Sequence, residues 1–235
     1  FHTTYCGYKM IKQLYKRNTT KLSLIFAAVL SVFFGLFSVS MASAQESGFL
    51  NKDMVIGDPN APIEIIEYAS TTCPHCATFN NDILPELKKK YVETGKVKII
   101  FRNYVFQQPF DIFSSSLNRC VDEKKFFPLL GLYFKRQHDW MKYKEFNELK
   151  SYGKYAALGF AKGEAIKIAK IAGMKESEAY QCLARTDVLE FLMNGNKEAQ
   201  EKYDINSTPS IIVNGKKLDA YDFETIEKAI LAESN

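Results

Sequence analysis

The amino-acid sequence predicts an α/β fold in which a helical domain is inserted into a small sheet. Two short apolar runs on either side of a helical stretch have the β-α-β order of a parallel strand pair. Helical spacing without a strand pattern then extends from about residue 111 to about residue 185. The chain ends with the order α-β-β-α, so its last part returns to strands.

The first 44 residues are interpreted as upstream residues followed by an export signal, with Met10 as a plausible start. Five basic residues and no acidic one accompany an apolar stretch at 22–40, and Ala42-Ser43-Ala44 is a small-x-small site of the kind that a signal peptidase cleaves. The apolar stretch exceeds the usual length of about 7–15 residues, so an uncleaved membrane anchor is the alternative. In both cases we expect residues 45–235 to be exported to the periplasm as one domain.

The distribution of charge argues against a nucleic-acid partner. The formal net charge is +4, but 26 of the 31 basic residues remain beside 27 acidic ones once the leader is set aside. No basic field is then left to attract phosphate.

The N-terminal elements follow from apolar runs and turn residues. Residues 63–69 are mostly apolar and β-branched, as in a buried central strand, and follow a turn cluster at 57–62. A helix is expected to start at Cys73, to bend or break at Pro85 and to end at Gly95. Residues 97–101 form the second predicted strand.

The rest of the chain is predicted as helices followed by a hairpin. Residues 111–185 form the helical insertion, and a further helix covers 186–203. A loop and a strand lead to Asn214-Gly215, a pair typical of a two-residue hairpin turn. The partner strand is expected at 216–220 and the last helix at 222–232.

Cys73 and Cys76 lie two residues apart at the predicted strand-to-helix junction. Zinc would need a second close pair of ligands, and Cys120 and Cys182 stand alone, so we expect no metal and no other cofactor. A purely structural bridge over so short a loop would add little stability.

Redox chemistry fits this cysteine pair better. A cysteine at a helix start faces unpaired backbone N–H groups and the positive end of the helix dipole, and His75 adds a charge or a donor. Both favour a thiolate at Cys73, and a stabilised thiolate makes the disulfide form a stronger oxidant. Cys76, inside the first turn, suits the resolving role.

Two further positions are candidates for the same site. Glu67 lies on the strand expected beneath the helix, where a buried carboxyl could carry a proton to Cys76. The alternative for Glu67 is an ordinary edge carboxylate. Thr208-Pro209, directly before the third predicted strand, is a candidate cis proline in an active-site loop.

These residues resemble those of the DsbA-like periplasmic thiol:disulfide oxidoreductases of the thioredoxin superfamily. The resemblance covers about residues 50–233 and is most specific at Cys73-Pro74-His75-Cys76, Glu67 and Pro209. It implies a thioredoxin fold with an inserted helical domain. It also implies that Cys73 is the exposed attacking thiol, Cys76 the buried one, and Pro209 a cis proline that contacts substrate together with Thr208.

The resemblance implies an enzyme that introduces disulfides into exported proteins. Unfolded or reduced exported proteins would be its substrates, and a membrane DsbB-like quinone reductase would re-oxidise it. A disulfide isomerase or reductase is the alternative, because Thr208 stands where thioredoxin-like isomerases often carry threonine. A non-catalytic peptide-binding chaperone is a further alternative function. No dimerisation module fits between Ala44 and Gly57, so we expect a monomer.

Cys120 and Cys182 are expected to form a second, structural disulfide. Export to an oxidising compartment and an even number of remaining cysteines favour this pairing. The alternative is two buried reduced thiols that act as small hydrophobic side chains.

Overall fold

The structure, a computed structural model, describes residues 50 and 52–233, so the predicted leader and cleavage site lie outside the described residues. Its sheet has the strand order β1-β3-β2-β4-β5. The strands are β1 (Met54–Ile56), β2 (Ile63–Ala69), β3 (Val97–Asn103), β4 (Ser210–Val213) and β5 (Lys216–Lys217).

The central strand, β2, pairs in parallel with β3 and antiparallel with β4. The predicted parallel pair is therefore confirmed. The short strand β1 pairs antiparallel with β3 and was not predicted. It has only three residues, too few for a strand pattern to be recognised between Asp53 and Gly57.

The helices divide into a first group after β2, a long series between β3 and β4, and a last helix. The first group is α1 (Pro74–Thr78) and α2 (Leu84–Leu87), with π-helical turns at Phe79–Ile83 and Lys88–Val92. The series comprises α3 (Pro109–Arg119), α4 (Glu123–Lys135), α5 (Gln137–Trp140), α6 (Tyr143–Leu149), a 3₁₀ turn (Lys150–Tyr152), α7 (Lys154–Ile171), α8 (Glu176–Leu183) and α9 (Thr186–Tyr203). The last helix is α10 (Phe223–Glu233).

Pro85 does not break the first helical stretch. It lies in the first turn of α2, where a backbone N–H would have no partner within the helix and its absence therefore removes no hydrogen bond of α2. The preceding turn, Phe79–Ile83, is widened to the π form instead. The expected break is therefore replaced by a local change in helical pitch.

Both faces of the sheet are covered. One face packs on the α1–α2 stretch and α10 through an apolar cluster that includes Ile65, Phe79 and Ile226. The other packs on α9 through a cluster that includes Ile66, Ile212 and Ala199. Because β2 is buried on both sides, its sequence is mostly apolar, with Glu64 and Glu67 as the exceptions.

The helices between β3 and β4 have a core of their own. Phe110, Leu129, Trp140 and Ala165 belong to its cluster of buried side chains. This arrangement is a thioredoxin-fold sheet with an inserted helical domain, as the sequence predicted. None of the helices that the described residues form is long and apolar enough to cross a membrane.

The predicted hairpin is confirmed, although its second strand is shorter than expected. Asn214 and Gly215 have the positive φ angles, 43° and 82°, of a tight turn between β4 and β5. The partner strand ends at Lys217, whereas the sequence suggested residue 220. Lys216 and Lys217 are exposed on this edge, and charged side chains are a common way to end strand pairing.

Candidate active site

Cys73 lies at the junction where the central strand passes into the first helix. A turn of three buried residues, 70–72, follows β2, and Cys73 is the extended N-cap of α1, with φ −80° and ψ 120°. The helix therefore begins at Pro74, one residue later than predicted. Proline is favoured at the first helical position because its missing N–H and fixed φ suit that place.

The surroundings of Cys73 stabilise its thiolate. The Cys76 thiol, which donates to the Cys73 sulfur, is the largest cause that lowers the pKa of Cys73 to about 5. Burial opposes this effect, while Thr208 and the backbone N–H groups of Cys76 and His75 reinforce it. Donors aimed at a sulfur favour its charged form, so Cys73 is suited to be both nucleophile and leaving group.

Cys73 is less exposed than the resemblance implied. Its exposed fraction is only 8%, against 0% for Cys76. Both are unbonded thiols here, and the Cys73 thiol donates to the carbonyl oxygen of Thr208 at 3.2 Å. Both cysteines belong to an apolar cluster that also includes Phe101 of β3 and Phe126 of α4.

Cys76 has the opposite electrostatic character. Burial raises its pKa well above the ordinary value, and the hydrogen bond to Cys73 and the charge of Glu67 act in the same direction. A cysteine that resists ionisation takes up a proton readily after a disulfide is broken. Two sulfurs three positions apart are thus differentiated by their surroundings.

Glu67 is buried within β2 and is not an edge carboxylate. Only 2% of its surface is exposed, and burial, followed by repulsion from Cys73, raises its pKa to about 8. Its Oε1 atom has no hydrogen-bond partner among the described residues. The side chain is therefore a protonated carboxylic acid at neutral pH, in electrostatic contact with both cysteines.

The Thr208–Pro209 peptide bond is cis, and Thr208 faces Cys73 from the opposite side of the site. Pro209 is buried and directly precedes β4. The Thr208 hydroxyl is buried and makes no hydrogen bond among the described residues. Its side chain nevertheless contributes to the low pKa of Cys73, in the direction expected of a donor close to the sulfur.

His75 and Pro74 are exposed beside the cysteines. The His75 backbone N–H helps to stabilise Cys73, but the His75 ring is bound elsewhere: its Nδ1 lies 2.9 Å from the Tyr221 hydroxyl oxygen. From the sequence we expected His75 to add a charge or a donor. The contribution to the pKa of Cys73 that the structure shows is that of the His75 main chain.

A buried polar network supports the loop that precedes Cys73. Asp111, at the start of α3, accepts hydrogen bonds from the hydroxyls of Ser70 and Thr71 at 2.7 and 2.8 Å, and from the Phe106 N–H at 2.7 Å. Burial raises the pKa of Asp111 to about 6, and these hydrogen bonds lower it in part. The hydroxyl run at 70–72 was a signal of this network, because three polar residues follow a buried strand.

Gln137, on α5, ties the same loop to the inserted domain. Its Nε2 donates to the carbonyl oxygens of Thr71 and Cys73, both at 2.9 Å. Asp111, Gln137 and Tyr221 were not among the predicted site residues. Nothing in the sequence sets the last two apart from other polar residues of the helices and loops.

Cys120 and Cys182 are joined by a disulfide, with a Cα–Cα distance of 5.9 Å. Cys120 caps the C-terminus of α3 and Cys182 lies on α8, so the bond crosses the inserted domain. Within residues 50 and 52–233, no three His, Cys, Asp or Glu side chains are grouped as a metal site would require.

Comparisons with known proteins agree with this arrangement. The thioredoxin family model matches residues 50–232. A putative protein-disulfide oxidoreductase of Rickettsia bellii is 30% identical over 179 residues, 76% of this chain and 63% of the relative. One from Rickettsia typhi is 28% identical over 77% of this chain and 61% of the relative. The chain thus spans about three-fifths of the length of these relatives.

Solved structures give the same result. A protein-disulfide isomerase from Novosphingobium aromaticivorans has a TM-score of 0.68 at 26% identity, covering 77% of this chain and 96% of that one. Wolbachia pipientis alpha-DsbA1 has a TM-score of 0.64 at 25% identity, covering 77% and 90%. The chain therefore belongs to the thioredoxin family, and its fold is that of DsbA-like proteins.

Proposed function

We propose that this chain is a thiol:disulfide oxidase that introduces disulfides into exported proteins through Cys73 and Cys76. The observation that carries the proposal is the low pKa of Cys73, about 5, next to a buried Cys76 whose pKa is raised. A stabilised Cys73 thiolate favours the reduced pair, so the disulfide form is a ready electron acceptor.

The first step of the proposed reaction is attack by a substrate thiolate on the Cys73 sulfur of the Cys73–Cys76 disulfide. A new S–S bond forms to Cys73, the old bond breaks, and its electron pair remains on Cys76. Because Cys76 resists ionisation, its thiolate is protonated, and the carboxylic acid of Glu67 supplies the proton.

The second step resolves the mixed disulfide. A second substrate thiolate attacks the substrate sulfur that is bound to Cys73, and Cys73 departs as a thiolate. A low pKa makes Cys73 a good leaving group. The substrate has then lost two electrons, which the cysteine pair has gained. A membrane quinone reductase of the DsbB type would remove them.

The redox potential of the Cys73–Cys76 pair in glutathione buffers tests this proposal. We expect a value closer to about −120 mV, that of a strong oxidant, than to about −270 mV, that of thioredoxin. The oxidised protein should also transfer its disulfide to reduced, unfolded ribonuclease A, and Cys73→Ser should abolish this transfer. A potential near the thioredoxin value would contradict an oxidase.

A disulfide isomerase or reductase is the second candidate, and Thr208 before the cis proline favours it. One structural relative also carries the name protein-disulfide isomerase. Rearrangement of scrambled ribonuclease A by the reduced protein distinguishes the two activities. A non-catalytic peptide-binding chaperone would catalyse no thiol exchange at all, including insulin reduction.

We also propose that the protein acts in the periplasm as a monomer and that residues 1–44 contain its export signal. The basic and apolar order of the leader and the Ala42-Ser43-Ala44 site support this proposal. N-terminal sequencing of the exported protein should begin at Gln45. A start within residues 1–44 would instead indicate an uncleaved anchor.

A further inference from the structure

His75 and Tyr221 form a side-chain pair at the rim of the proposed active site. The His75 Nδ1 atom is 2.9 Å from the Tyr221 hydroxyl oxygen, and the ring centroids are 5.8 Å apart at 48°. The two residues are 146 positions apart in the sequence. His75 belongs to the first turn of α1, and Tyr221 to the segment between β5 and α10.

Tyr221 is a firmly held partner for the exposed imidazole. It packs partly buried against the apolar cluster beneath α10, alongside Phe223. The next residue, Asp222, accepts hydrogen bonds from the Thr225 N–H and hydroxyl at 2.9 and 2.8 Å and so caps α10. The position of the tyrosine is therefore set by the C-terminal helix and not by His75.

The hydrogen bond to Tyr221 engages the Nδ1 atom of His75 and fixes the direction of the imidazole. The low pKa of Cys73 arises from Cys76, Thr208 and backbone N–H groups, and the largest causes include no contribution from the His75 ring. An Nδ1 atom engaged with a hydroxyl is not available to a thiolate, and the Nε2 atom is held in the direction that this hydrogen bond gives to the ring. If the ring were released, it could turn toward Cys73 and add a donor.

We infer that Tyr221 is a positioning residue that holds the His75 imidazole away from Cys73 and thereby limits the oxidising power of the cysteine pair. The inference rests on the proposed redox function. The Tyr221 hydroxyl contacts the His75 ring, and its effect on the cysteines is exerted through that ring. We therefore expect that loss of the Tyr221 hydroxyl, 146 positions away from His75 in the sequence, makes the Cys73–Cys76 disulfide a stronger oxidant.

Tyr221→Phe tests this inference, because it removes the hydroxyl and keeps the ring and its apolar packing. We expect the equilibrium constant for reduction of the pair by glutathione to increase about three-fold, equivalent to about 14 mV, as for the net effect of one hydrogen bond. The thiolate absorbance of Cys73 at 240 nm should develop at lower pH. The ¹⁵N resonances of the His75 ring should also shift, which a purely structural effect would not require.

A double-mutant cycle with His75→Ala gives the decisive comparison. In the His75→Ala background, Tyr221→Phe should leave the potential unchanged, and Tyr180→Phe, on the exposed surface of α8, should leave it unchanged in the wild type. Equal shifts in both backgrounds, no shift, or a shift to a more negative potential would each overturn the inference. If the wild-type pair forms no disulfide in the same titration, the proposed function fails instead.

Discussion

Cys76 affects Cys73 more strongly than any other group does. Its thiol hydrogen bond is the largest cause of the low pKa of Cys73, and the same hydrogen bond raises the pKa of Cys76 itself. The two sulfurs therefore set each other's protonation states. The asymmetry needed for directed thiol exchange lies in the pair, and the helix start adds to it through the N–H groups of Cys76 and His75.

This mutual control leads to a prediction at Cys76. Cys76→Ala removes the donor and should raise the pKa of Cys73 from about 5 toward its ordinary value of 9.0. Cys76→Ser, which retains a hydroxyl donor, should raise it less. Absorbance at 240 nm as a function of pH measures the thiolate in each variant. A pKa that is unchanged in Cys76→Ala would show that the helix N–H groups suffice.

A second prediction concerns Glu67 and the pH dependence of stability. The pKa of Glu67 is about 8 in the folded protein, above its ordinary value of 4.5. The folded protein therefore binds more protons between these values. The stability that results is fully present below about pH 4.5 and is lost as the pH rises through about 8.

Glu67→Gln cannot ionise, so its stability relative to the wild type should increase with pH across that window, by up to about 1.4 kcal/mol per pH unit. The depressed pKa of Cys73 has the opposite effect on the pH dependence of stability. Because reduced Cys73 is present in both proteins, this effect largely cancels when the unfolding free energies of Glu67→Gln and the wild type are subtracted. Urea unfolding of both proteins from pH 4.5 to 9 measures the effect. A constant difference would mean that Glu67 is ionised when folded.

At the scale of residues, the sequence predicts those groups whose chemistry depends on their local surroundings. Cys73 and Cys76 could be predicted from their spacing at a helix start, and Glu67 from its position on a buried strand. Tyr221 and Gln137 could not, because their roles depend on which distant loop the fold brings within hydrogen-bond distance. The direction of the His75 ring could not be predicted from the local motif either, because the ring contacts the distant Tyr221.

At the scale of elements, the inserted helices hold the loop that presents Cys73. Gln137 on α5 donates to the Thr71 and Cys73 carbonyl oxygens, and Asp111 on α3 binds the hydroxyls of the same loop. These partners come from the inserted domain and not from the sheet. The insertion is therefore a structural part of the site.

Gln137→Leu tests this coupling. The change keeps the side chain's approximate size but leaves two carbonyl oxygens without their donor, which should cost about 1–3 kcal/mol of unfolding free energy. Urea unfolding measures this cost. Gln181→Leu, on the exposed side of α8, is the matched control and should change stability by less than about 0.5 kcal/mol. Equal effects of the two substitutions would refute the role of Gln137.

The elements themselves were largely predictable, with physical reasons for each difference. The buried central strand and the Asn214-Gly215 turn follow from local composition. The π-helical turns around α2 do not, because no local residue pattern marks them. The three-residue β1 does not either, because it is defined by its pairing with the distant strand β3. Tertiary contacts thus decide this edge pairing.

At the scale of the whole molecule, the Cys120–Cys182 disulfide closes a loop with a sequence separation of 62. Chain-entropy arguments give up to about 4 kcal/mol of stabilisation for such a loop. In a Cys73→Ser/Cys76→Ser background, dithiothreitol can act on this disulfide without touching the active-site pair. We expect reduction to lower the unfolding free energy by up to that amount in urea titrations.

The same bond should be separable from activity. Cys120→Ala/Cys182→Ala should melt at a lower temperature yet retain most of its insulin-reduction activity, because the pair lies in the inserted domain away from Cys73. A loss of activity in a variant that remains folded would show that this disulfide positions the reactive loop.

The position of β4 determines when the molecule becomes competent during its synthesis. Glu64 bonds to Asn214 across 150 positions, and Cys73 to Thr208 across 135. Contacts between such distant segments form late. A nascent chain that has not yet reached Thr208 already carries both reactive thiols, while one edge of its apolar central strand is unpaired and open to other chains. During synthesis, the two thiols and the unpaired edge of β2 are therefore exposed together until the segment that carries Thr208 and β4 has docked.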